Sequence, residues 1–272
     1  MKIVVTGTRG FPNILGGVET HCEELFPRIV EKGFDVVVIR RKSYVRNKLS
    51  MYKGVTLYDI PNFKIKPFES IIHTIRAIWV AKTKFHADIV HIHAIGPALL
   101  TLFARSLRLK VVFTHHGPDY DRAKWGKIAK LMLRLGERMG CTYANEVIVI
   151  SNVINDLIKK KYGRNDAYLI HNGVNPAITA DDPEYLSRLG VESRKYVFAM
   201  GRFVPEKNFH ALIKAFSNLN QSEYKLVIAG DADIEDKYSL ELKAMAKEKN
   251  VILTGFIKGH EQIGRASCRE RV

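Results

Sequence analysis

Short apolar runs alternate with helix-length segments along most of the chain. The apolar runs have nearly continuous β-branched character, which is typical of strands buried on both faces of a parallel sheet. Their alternation with helical periodicity predicts βαβ units and a doubly wound α/β fold. The predicted strands are 3–6, 36–39, 56–60, 89–93, 111–114, 147–150, 168–170, 196–200, 225–229 and 251–254. The predicted helices include 66–84, 123–139, 209–219 and 237–249.

The alternation breaks once, in the turn-rich segment 171–176, which an acidic connector at 181–184 soon follows. Turn residues between two periodic series mark a domain boundary. The pattern predicts a Rossmann-like domain over 1–175 and a second, shorter one over 176–262. No apolar run approaches the length of about 18 residues that a membrane-spanning helix requires.

The last ten residues, 263–272, look foreign to the rest of the chain. One back-translation of this segment matches a widely used sequencing-adapter sequence. We therefore expect 263–272 to be an artefact that follows a truncated second domain, and such segments are excluded from fold reasoning. The alternative is a natural basic tail.

Two segments pair apolar and basic residues at helical spacing, 66–84 and 123–139. We expect the apolar face of each helix to pack on the sheet and the charges to be solvated. The alternative is that these basic amphipathic helices lie on an anionic membrane.

Charge narrows the choice of partners. The 272 residues carry a formal net charge of +15, of which the three Arg and one Glu of segment 263–272 supply +2. Basic surfaces attract nucleic acids, anionic membranes and phosphorylated substrates. Nucleic acid is the weakest of these candidates because no recognition motif accompanies the charge. One basic cluster has no acid among its members, which are Arg40, Arg41, Lys42, Arg46, Lys48 and Lys53.

Cysteine content indicates the compartment. Cys22, Cys141 and Cys268 are too few for a disulfide framework, and Cys268 falls in the suspect tail. This usage favours a reducing cytoplasm.

The loop after the first strand, 6–19, partly mimics a dinucleotide-binding fingerprint. Asn13 stands where that fingerprint has its third glycine, and the loop continues to a second pair, Gly16 and Gly17. A dinucleotide loop turns directly into its helix, whereas here the helix is predicted to begin after Gly16 and Gly17, with Glu19 in its first turn. Glycine allows the backbone to approach a phosphate or a sugar closely.

An NADP-dependent enzyme is the alternative that this loop leaves open. Arg40 and Arg41 follow the second strand, where they would accept a 2′-phosphate. Tyr120 and Lys124 have the spacing of a short-chain dehydrogenase pair, which is also common by chance.

Histidines end two of the predicted strands. His91, His93, His115 and His116 all lie where parallel strands finish, which is where open α/β sheets bind ligands. We weigh each as a core or hydrogen-bonded histidine and favour His116 as a substrate contact, because Gly117 turns the chain sharply there. No accompanying carboxylate or cysteine has the spacing of a metal site.

A phosphate site is predicted in the second domain. Gly201 follows strand 196–200, and Arg202 and Lys207 precede a predicted helix. The helix dipole and the free N–H groups of its first turn favour an anion. Arg202 adds a planar fork of donors and Lys207 a mobile point charge, a combination suited to a diphosphate.

These motifs together resemble the retaining GT-B glycosyltransferases of the family-four type, and the opening resembles a bacterial rhamnosyltransferase-like subgroup. The resemblance covers about residues 1–262. It rests on four motifs: Gly16-Gly17-Val18-Glu19, Thr114-x-His116, Asn172-Gly173-Val174, and Arg202 with Lys207.

The resemblance implies a role for each motif. His116 is the catalytic candidate and would contact the transferred sugar. Gly16 and Gly17 would lie near the donor phosphates, and Arg202 and Lys207 would bind them and stabilise the departing diphosphate. Arg9 and Glu19 would lie on the acceptor side, and Asn172 and Gly173 in the hinge between the domains.

The implied fold is a complete N-terminal domain on the acceptor side and an incomplete C-terminal donor domain. The implied activity is sugar transfer from a nucleotide sugar to a polysaccharide or lipid-linked acceptor, without a metal or other cofactor. The protein would be cytoplasmic, with peripheral contact at the inner face of the cell membrane.

One departure from the family pattern is serious. The family places two glutamates, separated by seven intervening residues, later in the second domain, and the sequence after Gln262 does not supply them. We therefore expect this chain as written to be inactive. A non-catalytic binding module and an NADP-dependent sugar-nucleotide epimerase or reductase remain the alternatives.

Overall fold

The computed structural model describes residues 1–14, 16–45, 47–61, 68–121, 125–175, 183–192, 194–219, 223–232 and 235–257. Arg46, Lys124 and the suspect tail 263–272 lie outside these described residues. The chain divides into two compact units, unit 1 over Met1–Gly173 and unit 2 over Val174–Val272.

Unit 1 is built on an eight-stranded sheet of order β3-β4-β2-β1-β5-β6-β7-β8. All neighbours are parallel except β3 and β4, which form an antiparallel pair at one edge. The strands are β1 Lys2–Thr6, β2 Asp35–Arg41, β3 Met51–Tyr52, β4 Val55–Ile60, β5 Ile89–His93, β6 Lys110–His115, β7 Glu146–Val149 and β8 Tyr168–Leu169. The helices are α1 Gly17–Glu31, α2 Glu69–Thr83, α3 Thr101–Ser106, α4 Lys127–Tyr143 and α5 Asn152–Tyr162.

Strand alternation divides the core of unit 1 between the two faces of the sheet. On β1, Val5 packs with Phe26 of α1, whereas Val4 joins a larger cluster with Ile78 of α2 and Cys141 of α4. Successive side chains of a strand point to opposite faces, so one apolar run supplies both cores. Unit 1 therefore has α1 on one face and α2 to α5 on the other.

Unit 2 repeats the same plan on a smaller scale within the described residues. Its parallel sheet has the order β11-β10-β9, with β9 Tyr196–Met200, β10 Lys225–Ala229 and β11 Ile252–Gly255. Its helices are α6 Pro183–Arg188, α7 Phe209–Ser217 and α8 Lys237–Glu248. Phe209 and Ile213 of α7 pack with Leu242 of α8 and Leu226 of β10. The predicted strands of both series are confirmed to within a few residues at their ends, and so is the α/β class.

The packing of α4 contradicts the expectation that its apolar face lies on the sheet. The buried residues of α4 are Gly136, Glu137, Gly140 and Cys141, while Ile128, Leu131 and Leu135 are exposed. The helix also begins four residues later than predicted, at Lys127.

Two glycines explain this orientation. A Cβ atom at Gly136 would lie 2.0 Å from the backbone oxygen of Ile95, and one at Gly140 would lie 2.7 Å from the Phe113 ring. Since the two glycines are four residues apart, they form one bare strip that lets α4 lie close against its neighbours. The inward face is therefore set by small size and not by hydrophobicity.

This contact predicts the effect of Gly136→Ala. The added methyl group overlaps a backbone carbonyl that cannot move aside as a side chain would, so α4 must shift away from its neighbours. We expect the free energy of unfolding to fall by about 1–3 kcal/mol, the usual cost of overpacking. Denaturant titration measures this loss. Gly126→Ala is the control, because a Cβ atom at Gly126 has no neighbour within 4 Å; an equal loss in both variants would contradict the packing argument.

Candidate functional site

The first candidate site lies where β1 leads into α1. Gly16 precedes the helix with φ 154°, and a Cβ atom there would lie 1.9 Å from Oε2 of Glu19. The Glu19 carboxylate is buried and accepts a hydrogen bond from the backbone N–H of Arg9 at 3.1 Å. The carboxylate in the first helical turn therefore folds back and fixes the loop that precedes it.

The first turn of α1 leaves room for a ligand. The helix begins at Gly17, one residue before the predicted start after Gly16 and Gly17, and a Cβ atom there would meet nothing within 4 Å. No side chain caps this end of the helix with a hydrogen bond. The guanidinium of Arg9 lies 5.4 Å from the centre of the Tyr44 ring, where it is attracted to the face of the ring.

Four histidines assemble beside this helix end. We call His21, His91, His93 and His116 the histidine cluster. Nδ1 of His93 and Nε2 of His116 are 2.9 Å apart, at hydrogen-bond distance. The His93 ring stacks on both His91 and His116, with centroid distances of 4.2 and 5.2 Å. The His21 ring meets His116 edge-on at 5.3 Å.

The histidines of the cluster differ in their exposure to solvent. His91 and His93 are buried against Phe26 of α1, and Nε2 of His91 is 2.7 Å from Oγ1 of Thr114. His21 and His116 are only partly buried. His21 lies one turn beyond Gly17 on the same side of α1, so His116 lies close to the start of this helix.

Burial keeps the cluster uncharged at neutral pH. It lowers the pKa of His116 to about 4, and the neighbouring His21 and His115 add to the effect. Burial also lowers the pKa of His91 to about 3 and that of His93 well below its ordinary value, and the other rings of the cluster reinforce both shifts. The rings can therefore exchange hydrogen bonds without placing like charges together.

His115 is not part of this cluster, contrary to its grouping by sequence with His91, His93 and His116. His115 is the neighbour of Thr114 in β6, so its side chain points to the other face of the sheet. Its Nδ1 accepts from the backbone N–H of Gly117 at 3.1 Å, and its Nε2 is 2.9 Å from Oε1 of Glu137. These contacts hold the proton of the ring on Nε2, and they position the loop that carries His116.

Glu137 is the centre of this second network. Its carboxylate, fully buried, accepts hydrogen bonds from Tyr162 at 2.6 Å and from Tyr120 at 3.1 Å, and Nζ of Lys161 lies 3.4 Å away. Burial alone would raise the pKa of Glu137. The hydrogen bonds from His115 and Tyr162, with the charge of Lys161, instead lower it to about 2. The carboxylate therefore stays ionised and joins β6, α4 and α5.

Tyr120 belongs to this structural network, which leaves it no role in the dehydrogenase pair weighed from the sequence. Its hydroxyl donates to Glu137 and accepts from Lys161 at 2.7 Å. Its proposed partner, Lys124, lies outside the described residues.

Arg40 is not available for a 2′-phosphate. Its side chain is 1% exposed, and Nε pairs with Asp59 at 2.6 Å. Its other donors bond the backbone oxygens of Phe11 and Leu49 and the amide oxygen of Asn47. Every nitrogen of the guanidinium therefore has a partner within unit 1.

Arg41 is similarly withdrawn from the surface. It lies beside Glu69, with 3.7 Å between Nη1 and Oε1, and only 11% of its side chain is exposed. The basic cluster predicted from 40–53 thus loses its first two members to the interior, because isolated buried cations need partners.

The second candidate site is the carboxyl edge of the sheet in unit 2. All three strands reach a glycine there: Gly201 follows β9, Gly230 follows β10 and Gly255 ends β11. The N–H of Gly201 donates to Ala229, and that of Gly230 donates to Gly255, both at 2.9 Å. A Cβ atom at Gly230 would lie 1.9 Å from the oxygen of Gly201.

This glycine edge combines with the start of α7. A short turn over Pro205–Lys207 leads to Asn208, which has φ 53° and whose side chain makes no capping hydrogen bond. The Lys207 side chain folds back over Gly201, since a Cβ atom built there would lie 3.6 Å from its Cδ and Cε. Arg202, the residue that follows Gly201 in the chain, is partly buried. The helix end, the bare backbone and the lysine therefore converge.

Sequence reasoning found Gly201, Arg202 and Lys207 but missed Gly230, Gly255 and His21. A signal for the two glycines was present, since each follows an apolar strand as Gly201 does. His21 carried a weaker signal, its spacing of four residues from Gly17 on a predicted helix. Asn172 and Gly173, the predicted hinge, are exposed and lie at the end of unit 1.

Two further features concern the described part of the chain. Its His, Cys, Asp and Glu side chains form no group of three or more suited to one metal ion. Its helices are all too short or too polar to cross a bilayer.

The histidine cluster predicts a pH dependence of stability. In the unfolded chain a histidine binds a proton near pH 6.5, whereas folded His91 and His116 resist protonation until about pH 3 and 4. Their contribution to stability is therefore present above pH 6.5 and is lost as the pH falls from there. Each such group removes about 1.4 kcal/mol per pH unit.

The variant His91→Asn isolates one of these protons. We expect its free energy of unfolding to fall less steeply with decreasing pH than that of the wild type. The difference in slope should correspond to about one fewer proton taken up on unfolding. Denaturant titrations across this pH range measure both slopes. Parallel slopes would show that His91 does not resist protonation.

Known proteins match the chain along nearly its whole length. The family described as Glycosyltransferase Family 4 matches residues 15–178, and the one described as Glycosyl transferases group 1 matches 181–266. An uncharacterized glycosyltransferase of Methanocaldococcus jannaschii is 24% identical over 94% of the chain, and an alpha-monoglucosyldiacylglycerol synthase of Streptococcus pneumoniae is 25% identical over 96%. The chain spans only 65% and 63% of the length of these two relatives.

Solved structures share the fold. Sucrose-phosphate synthase from Thermosynechococcus elongatus superposes with a TM-score of 0.77 at 18% identity, covering 97% of this chain and 72% of the synthase. Anabaena HepE in complex with UDP-glucose gives 0.72 at 18% identity, covering 95% and 70%. These likenesses confirm the α/β fold of the GT-B type. With the family match over more than half of its length, the chain belongs to Glycosyltransferase Family 4.

Proposed function

We propose that the protein transfers a sugar from a nucleoside-diphosphate sugar to a lipid-linked or polysaccharide acceptor. The observation that carries this proposal is the glycine edge of unit 2, where Lys207 folds over Gly201 at the start of α7. A diphosphate needs close backbone approach, N–H donors and positive charge, and this edge combines all three.

Unit 2 is the proposed donor domain. In the reaction the bond between the sugar C1 and the diphosphate oxygen breaks and the electron pair leaves with the diphosphate. An acceptor hydroxyl oxygen bonds C1 and releases its proton to the departing diphosphate. Negative charge therefore grows on the diphosphate. Lys207, Arg202 and the N-terminus of α7 would stabilise that charge, a role that the proposal assigns to protein groups and not to a metal.

Unit 1 is the proposed acceptor-side domain. His116 is the proposed contact with the transferred sugar, because it is the partly exposed end of a chain of neutral rings. Its low pKa of about 4 leaves a neutral imidazole at pH 7, which can exchange hydrogen bonds with sugar hydroxyls. Gly17 would let a donor phosphate approach the start of α1, whereas the carboxylate of Glu19 fills the space beside Gly16. Arg9 and Glu19 would shape the acceptor side of the same loop.

The relatives support the two substrate classes. One relative is named as an alpha-monoglucosyldiacylglycerol synthase, and one structural neighbour is in complex with UDP-glucose. We propose peripheral contact with the inner face of the cell membrane, where a lipid-linked acceptor would be reached. The free, buried thiols of Cys22 and Cys141 fit a reducing cytoplasm. Retention of configuration and rhamnosyl transfer rest on the sequence resemblance, and hinge motion at Asn172 and Gly173 is proposed on the same ground.

The test is nucleoside-diphosphate binding by the purified chain, measured by calorimetry with UDP, GDP and dTDP. We expect one of them to bind, and Lys207→Met or Arg202→Met to weaken it by about tenfold to a hundredfold, the worth of a charge-assisted hydrogen bond. Lys214→Met is the matched control, an exposed lysine in the last turn of α7.

Failure of all three nucleotides to bind would overturn the proposal for this chain, and so would equal affinities of the Lys207 and Lys214 variants. A preference for NADP would favour the reductase alternative instead. Sugar transfer to a lipid acceptor by the purified chain would refute the expectation that the chain as written is inactive.

A further inference from the structure

The outer surface of the helical layer in unit 1 is unusually apolar. Helices α2, α3 and α4 lie on one face of the sheet, where α3 packs on α4 and the turn Pro97–Leu100 packs against both α2 and α4. Seven large apolar side chains of this layer are between 41% and 72% exposed. They are Phe68, Ile75, Trp79, Leu102, Ile128, Leu131 and Leu135, which together we call the apolar helical surface.

The orientation of α4 produces most of this surface. Ile128, Leu131 and Leu135 recur at spacings of three and four residues, which places them in one stripe along the helix. Gly136 and Glu137 fix the opposite side of the helix against the sheet, so rotating the stripe inward would unpack the glycines and remove the partners of a buried carboxylate. The stripe is therefore held facing outward by the interior of unit 1.

The exposed charged side chains of the same helices are all basic. Their exposed basic residues are Lys82, Arg105, Lys127, Arg134 and Arg138. The only acids within α2, α3 and α4 are Glu69 and Glu137. Glu69 is mostly buried beside Arg41, and Glu137 is fully buried in its own network. The apolar helical surface is thus bordered by cations without exposed acids on these helices.

We propose that the apolar helical surface docks the chain on an anionic lipid bilayer. Helices that interleave large apolar side chains with lysine and arginine bind the boundary between headgroups and acyl chains, and tryptophan favours that depth. The cations would lie on lipid phosphates while their aliphatic stems cover apolar area. A protein partner would need acids placed to match five scattered cations, whereas an anionic bilayer presents negative charge everywhere.

This inference deepens the membrane contact of the proposed function and adds an orientation. Helix α4 carries the outward stripe and also Glu137, which holds His115 next to His116. The docked surface and the proposed sugar contact therefore belong to one framework within unit 1. The histidine cluster packs against α1 on the opposite face of the sheet, so docking through α4 would fix the height of His116 above the bilayer.

Co-sedimentation with vesicles tests the proposal. We expect the chain to bind vesicles that contain phosphatidylglycerol and to bind pure phosphatidylcholine much more weakly. The double variant Leu131→Ser/Leu135→Ser should weaken binding to anionic vesicles by more than about tenfold, since each leucine would lose its burial in lipid. Arg134→Gln/Arg138→Gln should weaken it by about fivefold per charge and reduce its dependence on salt.

Two matched controls lie outside the surface. Val153 in α5 and Leu240 in α8 are 77% and 54% exposed, so Val153→Ser and Leu240→Ser remove comparable exposed apolar groups. Both should bind vesicles like the wild type. All of the substituted side chains are at the surface, so thermal unfolding should show that each variant remains folded.

Three results would overturn the proposal: no binding of the wild type to anionic vesicles, equal binding of the leucine variant and its controls, or a dimer in solution that the leucine substitutions dissociate without any vesicle binding. Nucleoside-diphosphate affinity, measured without vesicles, separates this inference from the proposed function. Vesicle binding without nucleotide binding would leave the surface in place and refute the glycosyl donor site.

Discussion

A single buried carboxylate organises much of unit 1. Glu137 would be costly to bury alone, but His115, Tyr120, Lys161 and Tyr162 satisfy it from three directions. Because these partners come from β6, from the segment after it and from α5, the carboxylate fixes α4 against all three. The loop that begins at His115 is fixed at the same time, and with it the position of His116.

The two candidate sites have a similar position in their sheets. Each lies at the carboxyl ends of parallel strands, where a helix begins and where a phosphate or a sugar needs room. In unit 2 all three strands end at a glycine, and of Gly201, Gly230 and Gly255 only Gly255 has open space where a Cβ atom would lie. In unit 1 the open position is Gly17, since the carboxylate of Glu19 fills the space beside Gly16, and the neighbouring histidine rings are kept neutral by burial. Cations are placed at the glycine edge and are excluded from the histidine cluster.

The sequence predicted the features that depend on residues close together in the chain. The apolar runs located the strands, and the paired glycines with Glu19 located the start of α1. What the sequence did not reveal depends on partners distant in the chain. From the sequence Arg40 was expected to be a surface charge. In the folded chain it is buried by Asp59 and by the loop around Phe11. The orientation of α4 escaped a hydrophobic-pattern argument because Gly136 and Gly140 make the inward face by being small, while a carboxylate lies between them.

The position of the partners of Glu137 along the chain imposes an order on folding. His115 and Tyr120 precede α4, but Lys161 and Tyr162 lie at the far end of α5 and leave the ribosome later. Until they arrive, the carboxylate lacks its shortest hydrogen bond and its ammonium neighbour. We therefore expect α4 to reach its final place only after α5 has been synthesised. Unit 1 would thus complete its assembly late, when α5 packs against the carboxylate of Glu137, which was synthesised earlier.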